Sequence, residues 1–240
     1  MILLYHRFGP KVTDNMTVTT PVFAWQMKYL HENGYSVVPL SEVVKFVLGS
    51  GSLPPRAVAI AADDGHRTVF SDMKPLVEHY RIPVTLFIYP SAISNASYAM
   101  TWEQLRDLKA TGLFSIESHT YWHPNLRNEK KRLAPEAYRG LVATQLNKSR
   151  ETLERRFNSK VEMLAWPFGI YDDELIAAAR KAGYIAAFSI ERSNVAPGAN
   201  VMAIPRYIVT NHDTGKAFAN LVSGGSAERS IQPSLPDNPY

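Results

Sequence analysis

Ala57-Val58-Ala59-Ile60-Ala61-Ala62-Asp63-Asp64-Gly65 is the stretch of this chain that decides its fold. Six apolar residues follow the Gly-, Ser- and Pro-rich loop 49–55 and end at two carboxylates and a glycine, the pattern of a buried strand leaving the core. Carboxylates that close repel each other unless something positive compensates, and a divalent cation would do so. The plainer alternative is a turn, since Asp-Gly is a common turn pair whose Asp often bonds only to backbone. Successive side chains at a strand end point in different directions, so Asp63 and Asp64 can have different tasks, one on a metal and one facing its water.

On either side of this strand the pattern alternates. Further β-rich runs fall at 2–5, 35–38, 84–89, 113–117, 161–165 and 184–189, and helical spacing of apolar residues at 23–33, 69–80, 102–110, 136–157 and 173–182. Gly34, Gly112 and Gly183 stand where helix C-caps belong. The alternation predicts an α/β fold. In a parallel β/α barrel the C-terminal strand ends converge on one face. His6 after the first strand, Asp63 and Asp64 after the third, His119 after the fifth and Trp166-Pro167-Phe168-Gly169 after the sixth are therefore expected to form one constellation.

Composition narrows the chemistry. A chain of 240 residues, 45% apolar, can bury a large core and is expected to form one domain over 1–222. From about Ser223 it turns rich in Gly, Ser, Pro and Asn, so 223–240 is expected as a loose tail. The net charge is +4, but acidic and basic residues are interspersed, and the densest basic stretch, Glu129-Lys130-Lys131-Arg132, reads as a solvated loop or helix start. No nucleic-acid partner is expected. With no cysteine, disulfides, thiolate ligands and cysteine nucleophiles are excluded, and a metal would need His, Asp or Glu. Met1-Ile2-Leu3-Leu4-Tyr5 is far too short for a signal or membrane helix, and no later run reaches that length. The chain reads as soluble, and the signal of an exported protein would lie outside it.

His119-Thr-Tyr-Trp-His123 carries two imidazoles at a spacing that can meet one ion, and Zn²⁺ accepts two His and a carboxylate with one position open. By spacing alone the pair could equally be hydrogen-bonded or on the surface. His31 and His79 fall at expected helix ends, where a cationic ring merely complements the dipole. His66, after the Asp-Asp-Gly turn, could line the cleft.

Taken together, Ala61-Ala62-Asp63-Asp64-Gly65, His119-Thr-Tyr-Trp-His123 and Trp166-Pro167-Phe168-Gly169 resemble the ordered motifs of the polysaccharide deacetylases, carbohydrate esterase family 4, over roughly Met1 to Val222. The resemblance implies a single distorted (β/α)7-type barrel with Asp63 as general base and Asp64, His119 and His123 as ligands of one divalent metal, zinc first and nickel or cobalt next. It also places an oxyanion donor at the backbone N–H of Phe168. The arginine that many members carry shortly before the Pro-aromatic motif is missing, since Met163-Leu164-Ala165 stand there, and the partner of the base is left open. The late Leu-x-His motif that supplies the general acid is absent as well. Tyr5-His6-Arg7 and Pro167-Phe168-Gly169 are similar instead to a subgroup that deacetylates biofilm poly-N-acetylglucosamine, in which an early histidine takes the acid role. That assigns the acid to His6, with His212 as competitor. Trp166, Tyr121 and Tyr171 are the aromatics expected to meet a sugar ring, while Trp122, between the two histidines, is left open between a sugar contact and inward packing.

The implied activity is hydrolysis of N-acetyl groups from an N-acetylglucosamine polysaccharide, by a monomer in an extracytoplasmic setting. A non-sugar amide hydrolase on the same metal site and a sugar-binding pseudoenzyme are the alternatives.

Overall fold

In the computed structural model, which describes residues 1–224, the elements run β1 (Ile2–Tyr5), β2 (Arg7–Gly9), β3 (Thr17–Thr19), α1 (Thr20–Glu32), β4 (Ser36–Val37), α2 (Leu40–Val47), β5 (Ala57–Asp63), α3 (Lys74–Tyr80), β6 (Val84–Ile88), α4 (Trp102–Ala110) and β7 (Phe114–Ser118). They continue with α5 (Leu126–Arg132), α6 (Pro135–Phe157), β8 (Met163–Ala165), α7 (Asp173–Lys181), β9 (Ala186–Phe188), β10 (Tyr207–Ile208) and α8 (Gly215–Val222). The expected tail, apart from Ser223 and Gly224, lies outside the described residues.

Eight strands form one parallel sheet, seven of them in the order β10-β1-β5-β6-β7-β8-β9 with β4 pairing the start of β5, a curled half-barrel of the (β/α)7 kind. One segment ties its two edges together. Ile204 N–H donates to Ala187 O at 2.8 Å and Ile204 O accepts from Ser189 N at 2.9 Å, after which Tyr207 pairs with Leu3 of β1. The inner face is built from apolar residues at every second position: Ile2 and Leu4, Ala59 and Ala61, Met163 and Ala165, Ala186 and Phe188. They form one buried cluster with Leu40, Val43, Val44 and Val47 of α2. That helix is not among those expected, although its residues carry the i, i+3, i+4, i+7 spacing of an amphipathic turn. Also beyond the expected elements are the β2–β3 pair, α5, β10 and α8, each too short for periodicity to mark it. The helix expected over 69–80 begins as a π-helical turn, Val69–Met73, before α3.

Between β7 and β8 the ladder is sparse, with Ser118 opposite Leu164 as its one registered pair. A side chain completes it. The carboxylate of Glu117 accepts from Glu162 N at 3.0 Å and Met163 N at 2.8 Å, seating the start of β8. Burial pushes this carboxyl up to about 8 despite those two donors. A folded-state value above the unfolded one contributes stability that is fully present in acid and lost as pH rises towards 8. Glu117→Gln should therefore gain in melting temperature relative to wild type between pH 5 and pH 8; a difference that is flat with pH would show that Glu117 does not titrate in this window.

Candidate active site

The two-residue period of the inner face leads directly to the reactive layer. One step beyond Leu4 stands His6, beyond Ala61 Asp63, beyond Glu117 His119, beyond Ala165 Pro167, and beyond Ile204 Arg206. Apolar layers fill the barrel, and polar side chains occupy its C-terminal rim, where the connecting loops leave room for ligands.

Asp64, His119 and His123 bring their ligand atoms to within 4.8 Å of one another. His119 Nε2 and His123 Nε2 stand 3.6 and 3.8 Å from Asp64 Oδ1. Burial lowers both imidazoles to about 4, the neighbouring carboxylates acting against it, so near neutrality each ring is uncharged and these separations are not ion pairs. His119 Nδ1 lies 2.8 Å from Ala165 O and, in the neutral ring, donates to it, which leaves the Nε2 lone pair facing the cluster. Two neutral imidazoles and a carboxylate at this spacing fit a zinc-type ion, whose tetrahedral ligands stand about 3.4 Å apart.

Asp63 is held quite differently. Both its oxygens accept from Arg206, Oδ1 from Nη1 at 2.8 Å and Oδ2 from Nη2 at 2.9 Å, in a fully buried bidentate pair. Burial alone would raise this carboxyl, but the guanidinium, with His119 and His6 adding to it, holds it below the usual carboxylate range. Arg206 is itself fixed by Nε–H donation to Ser189 O at 3.0 Å and lies over the rings of Phe87 and Phe188 at 5.2 and 5.9 Å. The sequence reading missed this residue. The arginine absent from 163–165 is replaced in space by one that arrives on the segment closing the barrel, next to β10.

The loops around the cluster are backbone-strained. Asp64, Thr120, His123 and Phe168 all have positive φ, at 72°, 63°, 62° and 56°. For residues with side chains this costs of order 1–3 kcal/mol each and persists only where surrounding contacts impose it. For the 119–123 loop those contacts are visible: Ser118 Oγ accepts from Thr120 N, Thr120 Oγ1 from His123 N, and Gln145 Oε1, from within α6, accepts from both Tyr121 N and Trp122 N at 3.1 and 2.9 Å. Gln145 is also unheralded by any motif. Its replacement by leucine should lower metal affinity about 10- to 100-fold by freeing the loop, as read by chelator competition; unchanged affinity would assign the fixing to the two hydroxyls alone.

In the turn Pro167–Gly169, Gly169 N–H is used on Trp166 O and Ile170 N–H on Pro167 O. Phe168 N–H belongs to the first residues of the turn, which have no partner within it. The Phe168 ring lies 4.7 Å from that of His123, so this turn borders the cluster. Gly169, at φ +65°, admits no side chain, because a Cβ there would come within 2.5 Å of Ile190 Cγ1. Tyr89, another residue not expected, sets its ring 5.3 Å from that of His123 at a tilt of 41° and shares a 2.5 Å hydrogen bond with Tyr98.

His6 is among the charges that act on both Asp63 and His123, and its buried Nδ1 has no hydrogen-bond partner among the described residues. His212 is exposed on the turn after β10. Trp166 departs from expectation. It is fully buried, and its indole N–H donates to Met202 O at 2.8 Å, so it packs the closing segment instead of facing a sugar. The physical reason is its position: it leaves β8 on the outward-facing register, among the helices. Of the two readings of Trp122, the structure favours the outward one, with the side chain 46% exposed. Tyr121 is half-buried with Lys148 Nζ 4.1 Å over its ring, and Tyr171, also half-buried, donates to Glu191 at 2.5 Å.

Comparison with known proteins agrees with this architecture. The family model described as polysaccharide deacetylase matches residues 50–187. The chain belongs to the polysaccharide deacetylase family. Among curated relatives, the poly-β-1,6-N-acetyl-D-glucosamine N-deacetylase of Staphylococcus aureus (strain MRSA252) is 27% identical over 223 residues, covering 91% of this chain and 75% of the relative. The protein of the same name from Staphylococcus epidermidis is 28% identical over 218 residues, covering 89% and 74%. Of solved structures, IcaB from Ammonifex degensii superposes with a TM-score of 0.81 at 23% identity, over 92% of this chain and 95% of that one. The Streptococcus pyogenes deacetylase PplD in complex with acetate gives 0.80 at 20% identity, over 92% and 96%. These two establish the shared deacetylase fold, and the family match extends over the strand and loops that carry Asp63, Asp64, His119, His123 and Phe168. His6 and Arg206 lie outside the matched segment and belong to the site by their position at the barrel rim.

Proposed function

We propose that this chain is a metal-dependent N-deacetylase of an N-acetylglucosamine polymer, hydrolysing the acetamide to acetate and a free amine. The observation that carries the reading is the pairing of two unlike carboxylates at one rim: Asp64 grouped with two neutral imidazoles, and Asp63 beside them, locked by Arg206. The names of the staphylococcal relatives support the β-1,6-linked polymer as substrate.

A divalent ion held by Asp64, His119 and His123, zinc by its donor set with nickel or cobalt as substitutes, would polarise the acetamide carbonyl and acidify a water. Asp63, ionised and fixed in direction, takes the proton of that water as its oxygen bonds to the acetyl carbon. Phe168 N–H donates to the oxyanion that forms, an interaction worth about 3 kcal/mol in comparable sites. His6 delivers a proton to the nitrogen as the C–N bond breaks, since an amide nitrogen leaves poorly without one. Tyr121 and Tyr171 flank the sugar. The reading carries with it a monomer acting outside the cytoplasm, where such polymers lie; no helix among the described residues is long and apolar enough to cross a membrane.

The test is acetate release from N-acetylglucosamine oligomers before chelation, after it, and after restoring zinc, nickel or cobalt, for wild type, His6→Ala and His212→Ala. Chelation should abolish release, and His6→Ala should reduce it about 10²- to 10⁴-fold with His212→Ala near wild type. Collapse with His212→Ala alone would move the acid there. If fully metallated wild type releases nothing, the N-deacetylase reading fails, and a non-sugar amide or a binding role takes its place.

A further inference from the structure

A hollow of about 170 Å³ opens between α5, α6 and the chain leading into α7. Its walls include Leu126, Lys130, Tyr138, Ile170, Tyr171 and Asp172. The chain ties it to the site at two points: Leu126 is three residues past His123, and Ile170 is two past Phe168. Two tyrosine rings and two aliphatic side chains offer apolar faces, and a charged rim lies above them. Such a mixture, with a few placed polar groups, is the make-up of a small-molecule site, and the volume, well under the roughly 300–1,000 Å³ of drug-sized pockets, suits one sugar ring.

The second observation is a hydroxyl. Three buried side-chain atoms among the described residues lack a hydrogen-bond partner: His6 Nδ1, Gln145 Nε2 and Tyr138 Oη. The first two belong to the catalytic rim. Tyr138, 3% exposed, belongs to the hollow, and its hydroxyl is acted on by Asp172, Lys130 and Glu174, the charges at the hollow's edge. An unpaired buried hydroxyl destabilises the protein that carries it, which makes sense where a ligand supplies the partner.

We propose that this hollow is a second sugar subsite, taking a neutral pyranose of the same polymer whose acetylated neighbour occupies the metal cluster, with a sugar hydroxyl pairing Tyr138. The proposal rests on the N-deacetylase reading. A neutral unit is favoured over a deacetylated, cationic one because the carboxylates at the rim are already engaged: Lys130 Nζ reaches Asp172 at 2.8 Å and Glu174 at 2.9 Å. The same lysine sits 5.6 Å over the Tyr138 ring and holds that wall in place. Aromatic faces, from Tyr138 and Tyr171 in the wall, then meet the C–H face of the ring.

The experiment compares wild type, Tyr138→Phe and the hollow-filling Ile170→Phe in three measurements: kcat/KM for β-1,6-linked N-acetylglucosamine disaccharide and pentasaccharide, calorimetric binding of the pentasaccharide, and melting temperature. Wild type should prefer the pentasaccharide. Tyr138→Phe should cut the pentasaccharide-to-disaccharide ratio and the binding constant by about 3- to 10-fold, the worth of one neutral hydrogen bond. Its melting temperature should stay level or rise, since an unpaired hydroxyl is removed, and Ile170→Phe should lower the same ratio. An undiminished ratio in both variants, or equal use of both oligomers by wild type, overturns the subsite. A drop in melting temperature for Tyr138→Phe does so too, because it assigns the hydroxyl a structural role. Should wild type release no acetate yet bind the pentasaccharide in a Tyr138-dependent way, the N-deacetylase reading falls and the sugar subsite stands.

Discussion

Arg206→Met is expected to lower the unfolding free energy by about 3–5 kcal/mol, the largest stability effect of any single exchange at the site. The guanidinium is fully buried, donates to both oxygens of Asp63 and to Ser189 O, and lies on two phenylalanine rings. Removing it leaves a carboxylate at 2% exposure with its main counter-charge gone. The loss is the cost of that stranded charge rather than the net worth of the pair, so the double variant Asp63→Asn/Arg206→Met should recover much of it. Urea unfolding of the four proteins at fixed ionic strength measures the coupling. Since the folded-state value of Asp63 is depressed, its contribution is present above the ordinary carboxylate value, about 3.9, and is lost as pH falls below it. The gap between wild type and Arg206→Met should therefore narrow in acid. A single variant within 1 kcal/mol of wild type would mean that the barrel closes without this anchor.

Asp63→Asn is expected to reduce acetate release about 10²- to 10⁴-fold while leaving bound metal at wild-type stoichiometry. Asparagine keeps an acceptor for Arg206 and removes the basic oxygen, whereas Asp64, His119 and His123 are untouched. His119→Ala makes the contrast, losing metal and activity together. Metal content by mass spectrometry, set against turnover, separates the two. If Asp63→Asn loses metal as His119→Ala does, Asp63 belongs to the ligand set and the base must be sought elsewhere.

How much of this was legible beforehand depended on how local the cause was. The strand 57–62 and the carboxylates at its end are written in consecutive residues, and the apolar run left little choice of structure. His119 and His123 were readable as a pair, but nothing in their spacing reveals that burial keeps both neutral or that Ala165 O orients one of them. Trp166 shows that adjacency to a motif in sequence is not adjacency to a substrate in space. In a strand-to-loop transition neighbouring side chains face opposite ways, and this one faces the core.

Residue order and side-chain chemistry by themselves determined the alternating α/β architecture, the absence of thiolate chemistry, and the candidate metal group of Asp64, His119 and His123. Only the tertiary structure decided what surrounds that group: Arg206 on Asp63 across 143 residues, Gln145 beneath the histidine loop, and the unpaired Tyr138 at a neighbouring hollow. The division has a physical reason. Strand and loop patterns arise from interactions within a few residues, whereas the partner of a buried charge is whatever side chain barrel closure delivers to it, and closure is a property of the whole sheet.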